Sequence, residues 1–214
     1  MLAVAAIVGM VSLGFWQLRR LDERRDSNKL ISTRSTAAPV PVDVLHAGAD
    51  TNLDDLRYQA VTATGSYDPG QSHVIVSRTQ DGGPGGWVVT PMRLPSGDVL
   101  VLRGFEKLDT DGSLPSPLPP SNVVTVDGYA MVIERLDPIA RQDLERLRDE
   151  LRTLPIVVQL KSSAPGDDPS LAPIPLPELS DGAHLSYAVQ WFLFATIAGV
   201  GYVVLLRREA ARAG

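Results

Sequence analysis

His184-Leu185-Ser186-Tyr187-Ala188-Val189-Gln190-Trp191-Phe192 begins the stretch whose reading decides the architecture of this chain. From Leu185 to Leu206 run 22 residues without a charged side chain, and Arg207 and Arg208 end the run. At ~1.5 Å of helical rise per residue it reaches about 33 Å, enough for the roughly 30 Å hydrocarbon core of a bilayer. A second uncharged segment, Met1 to Leu18, lies at the opposite end and reaches about 27 Å by the same rise. Its end, Gly14-Phe15-Trp16-Gln17-Leu18-Arg19-Arg20, lacks a small-x-small cleavage pattern and its start is not basic, so it reads as an uncleaved anchor rather than a signal peptide.

Two spans make a hairpin, with both termini on one side and the segment from about Arg19 to His184 on the other. Trp16, Tyr187 and Trp191 then share one interface as an aromatic belt. Ala5, Gly9, Ser12 and Trp16 fall on one helical face, and Ala188, Ala195 and Gly199 leave a shallow strip on the other helix; these two surfaces are expected to meet. Charge does not orient the hairpin. Arg207, Arg208 and Arg212 follow the second span, but Arg19, Arg20, Arg24, Arg25 and Lys29 follow the first on the opposite side.

The chain has 20 basic and 25 acidic residues, a net of −5; setting aside three arginines and Glu209 after Leu206 leaves about −7 for the rest. An acidic middle without a basic stripe argues against nucleic acid as a partner. Zero cysteines excludes disulfides, thiolate metal sites and cysteine nucleophiles. The intervening residues suffice for one domain with its own core.

In that domain, Leu21 to Asn52 reads as a helical extension fading into a linker. Arg57 to Tyr67 and His73 to Ser77 flank an Asp68-Pro69-Gly70 turn and suggest a hairpin. Trp87 to Leu94 and Asp98 to Phe105 flank Pro95-Ser96-Gly97, and Val123 to Val126 with Tyr129 to Ile133 supply further strands. An antiparallel sheet or small barrel follows. Asp137-Pro138 caps a helix to Thr153 with Ile139, Leu144, Leu147 and Leu151 as its apolar stripe. Ile156 to Leu160 is a strand, and the prolines from Pro165 to Pro177 make a stiff, extended return to the membrane. The expected fold is therefore a membrane α+β protein: a two-helix transmembrane hairpin enclosing a mainly antiparallel β domain with one helix. Its boundaries are 1–18 first span, 19–55 extension and linker, 56–183 β-rich domain with return, 184–206 second span and 207–214 basic tail.

His184 is the leading functional candidate. At roughly 100° per residue, Tyr187 and Trp191 fall within about 60° of it, and an imidazole beside aromatic faces and a flat groove suits a planar metal cofactor. The competing reading makes all three interfacial anchors at the headgroups. His73 on a strand and His46 in the linker have no second ligand at metal spacing. Gly82-Gly83-Pro84-Gly85-Gly86 lacks the Lys-Ser/Thr of a phosphate loop and reads as a flexible turn. Arg103-Gly104 reads as a strand end with a bulge. No nucleophile–base pair has convincing spacing, so no enzyme is expected.

Four motifs in order resemble the Surfeit locus family of cytochrome c oxidase assembly factors, in its actinobacterial form. They are Leu13-Gly14-Phe15-Trp16-Gln17-Leu18-Arg19, Gly86-Trp87-Val88-Val89-Thr90-Pro91, Val99-Leu100-Val101-Leu102-Arg103-Gly104-Phe105, and His184-x-x-Tyr187-x-x-x-Trp191-Phe192. Gly182-Ala183 stand where the family carries a polar amide, and Leu102 and Phe105 where it carries Asn and Trp. The resemblance implies a cell-membrane protein with two spans, an extracytoplasmic domain and cytoplasmic termini. It would assist delivery or insertion of haem a into subunit I of an aa3-type oxidase, with His184 at the family's haem-ligand position. The implied partners are subunit I or a bc-aa3 supercomplex, haem a synthesis machinery and membrane lipid. Arg19 or Arg20 could pair the haem propionates, headgroup contact being the alternative. Two other readings stay open: a stable accessory subunit of the oxidase or supercomplex, and a membrane-tethered sensor or binding domain.

Overall fold

The computed structural model describes residues 2–45 and 52–213. These fall into two compact units, residues 1–30 with 178–214, and residues 31–177.

The first unit is built on two long helices, α1 (Leu2–Ser35) and the helix that ends the chain, His184–Ala213. Both are long and apolar enough to cross a membrane. Almost none of their apolar side chains is buried: Val8, Phe15, Val189, Ile197 and Leu205 all face outward. Such an exterior suits hydrocarbon, where apolar side chains need no further cover. Past Leu18, α1 continues unbroken because Arg19 to Ser35 contains neither Gly nor Pro.

The second unit is a β barrel. After β1 (Val40–Pro41) and the single turns α2 (Val42–Leu45) and α3 (Leu53–Leu56) come β2 (Ala60–Tyr67), β3 (His73–Gln80), β4 (Gly83–Arg93), β5 (Val99–Lys107) and β6 (Val124–Val132). Helix α4 (Pro138–Leu151) and β7 (Ile156–Ala164) complete it, which makes the final long helix α5. The sheet order is β1-β2-β6-β7-β5-β4-β3, and a further pairing of Ser66 with Arg93 and Tyr67 with Met92 joins β2 to β4. Five strands, β2, β4, β5, β7 and β6, thus form a closed circuit that is antiparallel except where β5 and β7 run parallel. This is the strand order of an OB-type barrel.

Strand alternation sorts the side chains into two cores. Val61, Ala63, Val99, Val101, Val126 and Val158 fill the interior. Leu100, Leu102, Val89 and Val157 point outward, where Leu144 and Leu147 of α4 and Ile75 of β3 cover them. Strand β5 is therefore buried on both faces from Val99 to Glu106. Each fully buried Leu of α4 contributes about 1.5–3 kcal/mol. Asp137 caps the helix, accepting from the amides of Ile139 and Ala140.

Several expectations need correction. Strands β2 and β3 do not pair with each other; the 3₁₀ turn Pro69–Gln71 sends the chain away from β2, and among the described residues β3 pairs with β4 alone. The hairpin is made instead by Asp81 and Gly82, at φ 50° and 74°, the paired positive angles that a right-twisted two-residue turn requires. Gly83 to Gly86 accordingly belong to β4 rather than to a flexible turn; Gly85 and Gly86 pack against Phe105 and Val74. On α4 the buried stripe is Ala140, Leu144 and Leu147, while Ile139 is half exposed. Val124 to Val132 form one strand, the Asp127-Gly128 pair producing a bulge against β7 instead of a break. The bulge expected at Arg103-Gly104 lies within β5, where the register shifts opposite Val88 and Val89. The proline-rich return is stitched to the barrel: Phe105 and Ala172 exchange backbone hydrogen bonds, and the Gln159 amide donates to the Ile174 carbonyl at 2.6 Å.

Candidate functional site

The positions of α1 shielded from solvent recur as Ile7, Met10, Gly14, Gln17, Leu21 and Arg24; those of α5 recur as His184, Ala188, Trp191, Ala195, Ala198 and Tyr202. Both follow the alternating four-and-three spacing of a coiled-coil seam. The face expected on α1 is not the one used: Ala5, Gly9, Ser12 and Trp16 are exposed, and a Cβ placed on Gly9 would meet nothing within 4 Å. The helices approach at Gly14, where an added Cβ would come within 2.6 Å of the Phe192 ring. Phe15 packs edge-on against Phe192 with centroids 5.3 Å apart. The polar Gln17 lies on this seam, where it finds a partner that hydrocarbon would deny it.

That partner is His184, whose Nδ1 lies 3.0 Å from Oε1 of Gln17. His184 is the first residue of α5 and is half-buried. The backbone leading to it is fixed by the polar half of α1. Arg24 donates from Nε to the Ser180 carbonyl at 3.0 Å and from Nη2 to the Glu178 carbonyl at 2.9 Å. Asn28 Nδ2 donates to the same Ser180 carbonyl at 3.0 Å, and Arg25 pairs with Asp181 at 2.9 Å. Gly182, at φ 64°, then turns the chain into the helix. A Cβ added at Gly182 would lie 3.5 Å from Cδ2 and 3.7 Å from Nε2 of His184, ordinary contact distances, so this turn runs beside the Nε2 edge of the ring.

The other candidates divide. Trp191 shares the seam with His184, two turns on, and stacks edge-on against Phe194 at 6.1 Å. Tyr187 lies off the seam and is half exposed. Arg20 is bonded to Glu23 at 2.9 Å and sits over the Trp16 ring at 5.9 Å; Arg19 is exposed and makes no ion pair among the described residues. His73 is half-buried on β3, and His46 lies outside the described residues. No group of three or more His, Asp or Glu with metal-binding geometry occurs among the described residues. Gln17 carries no assigned role in the sequence reading; its polar side chain one step from Gly14 on a four-and-three repeat is the signal that marks it.

The barrel's own polar centre is structural. Arg103, fully buried, grips Asp167 through Nε at 2.8 Å and through Nη2, and donates from Nη1 to the Pro117 carbonyl at 2.6 Å. The Tyr67 ring lies over its guanidinium, and burial pushes the Tyr67 phenol above its ordinary range. Arg103 thereby ties β5 to two proline-rich loops.

A barrel domain inserted between two apolar helices that pair along a heptad seam, with a half-buried histidine at the head of the second, defines a class of candidate membrane-anchored proteins. The sequence pattern of the SURF1 family matches residues 4–196, and the chain belongs to that family. Uncharacterised SURF1-like proteins of Mycobacterium bovis and Mycobacterium tuberculosis are 28% identical to it over 216 aligned positions, covering 92% of this chain and 78% of each relative.

Proposed function

We propose that this chain is an assembly factor for an aa3-type cytochrome c oxidase, spanning the membrane twice with its barrel domain outside and both termini in the cytoplasm. In this reading it assists the delivery or insertion of haem a into subunit I. Family membership supports the link to oxidase assembly, and the observation that carries the haem reading is His184. Its Nδ1 is engaged by Gln17 while Nε2 has no hydrogen bond among the described residues. A lone imidazole with one free nitrogen fits an axial ligand, which needs no surrounding cage of side chains, better than it fits a chelated bare ion.

His184 would hold the iron of the cargo through Nε2, a bond that neutral imidazole can make and release. Trp191 offers an apolar flank, and Tyr187 a phenol at the exposed side. Arg19, free of ion pairing among the described residues, or Arg20, which is bonded to Glu23, would meet a propionate. The long alkyl tail of haem a is worth about 0.8 kcal/mol per buried CH₂, so a ligand at the membrane boundary keeps that tail in lipid. No step of bond-making chemistry is assigned to the protein, which acts as a carrier rather than an enzyme.

The test is affinity purification in mild detergent from membranes supplied with haem a, with absorption spectra and subunit identification on one sample. A Soret band that His184→Ala removes, together with immature subunit I, is the expected result. Co-purification only with the finished oxidase, without a histidine-dependent band, would favour an accessory subunit instead. Because the chain has no cysteine, Ser170→Cys and Ala211→Cys report orientation cleanly. An impermeant maleimide should reach the first in intact cells and the second only after permeabilisation.

A further inference from the structure

Gln17 and His184 form a polar pair on the seam, flanked on α1 by Gly14 and Leu21 and on α5 by Ala188 and Trp191. A polar side chain at such a position is costly unless its hydrogen bond is made, and here the bond runs from one helix to the other at 3.0 Å. The atom of Gln17 that faces the ring is Oε1, which can only accept. The proton of a neutral imidazole must then sit on Nδ1. Nε2 is left with its lone pair and with no hydrogen bond among the described residues. The same helix also fixes the backbone before the ring, through Arg24, Arg25 and Asn28.

We infer that Gln17 is a positioning residue: by accepting from Nδ1–H it fixes the tautomer and the rotation of His184, so that Nε2 is presented ready-made to the iron of a haem. Metal-bound histidines are generally held this way by a partner on the other ring nitrogen. Here the partner stands on the opposite helix, so the ligand is competent only while α1 and α5 are paired at this level. Separation of the helices would release the ring, which gives a carrier a means of loosening its hold. This inference rests on the haem reading proposed above.

A merely structural Gln17 would only register the two helices, and two measurements separate the roles. The first uses haem-free, full-length protein in nanodiscs with ¹⁵N-labelled histidine, with His184→Ala as the assignment control. The His184 ring should carry its proton on Nδ1 in the parent protein, and Gln17→Leu should give a mixture of tautomers with helix content unchanged. The second is titration with haem a. Gln17→Leu should weaken binding about 10–100-fold. Gln17→Glu, which keeps an acceptor and makes it stronger, should restore the affinity and lower the midpoint potential of the bound haem, a shift that helix registration alone would not produce.

A proton found on Nε2 in the parent protein overturns the inference whatever haem does. Gln17→Leu binding haem a as well as the parent, while His184→Ala loses it, overturns the inference and leaves the haem reading standing. Unchanged haem a affinity in His184→Ala overturns both.

Discussion

The two units solve opposite problems with the same residues. In the barrel, Val and Leu at alternate strand positions disappear into two cores, and a charge such as Arg103 that is buried is fully paired. In the helical unit, Val and Leu face outward and the shielded seam carries Gly14, Ala188, Ala195 and the Gln17–His184 bond. The barrel is held by excluding water from apolar surface. The helix pair, with lipid as its surroundings, gains nothing from that exclusion and depends on close approach and hydrogen bonding. Apolar truncation should therefore damage the barrel much more than the exterior of the helices, whereas steric change in the seam should damage the helices alone.

The largest expected effect is at Arg103. Arg103→Met leaves Asp167 buried without its cation and should cost about 3–5 kcal/mol, read as a lowered transition of the barrel domain in detergent-solubilised full-length protein. The double substitution with Asp167→Leu should recover most of the loss, because the penalty lies in the orphaned charge. No recovery would mean that the Pro117 contact, not the ion pair, carries the stability. Close behind comes Leu144→Ala, expected to cost about 2–5 kcal/mol. Ile139→Ala, on the exposed side of the same helix, should cost less than about 0.5 kcal/mol. Equal losses at the two positions would displace the stripe from Ala140, Leu144 and Leu147.

The seam is sharpened by a pair of glycines. Gly14→Leu should weaken helix pairing by about 1–3 kcal/mol, since even a Cβ there meets the Phe192 ring. Gly9→Ala, with open space around it, should be neutral or stabilise by up to about 1 kcal/mol. Loss of helical structure during titration with a denaturing detergent gives the comparison. If Gly9→Ala proves the more harmful, the helices meet on the Ala5, Gly9 and Ser12 face instead.

That contrast also explains what the sequence reveals. Strands β5 and β7 and helix α4 are legible because β-branched enrichment and capping leave a pattern in residue type, with Asp137-Pro138 marking the helix start to the residue, whereas β6 reads as two strands and the glycines that open β4 read as a turn. The closure of the barrel between Tyr67 and Met92 is not legible, since it joins strands that carry no local mark of each other. The Asp-Gly pair shows why turn signals mislead. At Asp81-Gly82 it makes a hairpin, at Asp127-Gly128 a bulge inside a strand, and at Asp181-Gly182 the entry to α5. In α1 the apolar residues surround the helix, so hydrophobicity cannot choose a face, and two four-and-three repeats compete. The decisive residue is Gln17, which hydropathy treats as a blemish and geometry treats as half of the site. His184 is visible from sequence because its neighbours are aromatic; its partner, 167 residues away, is not.

The smallest expected effects are those of two carboxylates whose pH dependences run in opposite directions. Hydrogen bonding from Arg78, aided by its charge, holds the Asp137 carboxyl below its ordinary range. The stability it contributes is present above the unfolded-state value, about 3.9, and is lost as pH falls through the lower folded value. Asp137→Asn keeps a good helix cap and removes only the charge, so it should be less stable than the parent at pH 7, with the difference closing in acid. Glu106 is the reverse: burial first, then the nearby charges of Asp109 and Asp168, push its carboxyl up, against the Ser170 hydroxyl that donates to it. The folded state favours its protonated form, so its contribution is present below the unfolded-state value, about 4.3, and is lost as pH rises through the higher folded value. Glu106→Gln should thus be more stable than the parent at pH 7 and equal to it near pH 3. Thermal unfolding of the three proteins across that range would show crossing differences. Parallel curves would mean that neither carboxyl feels its surroundings, and that the charged rim of the barrel is as uniform energetically as the apolar rim of the helices.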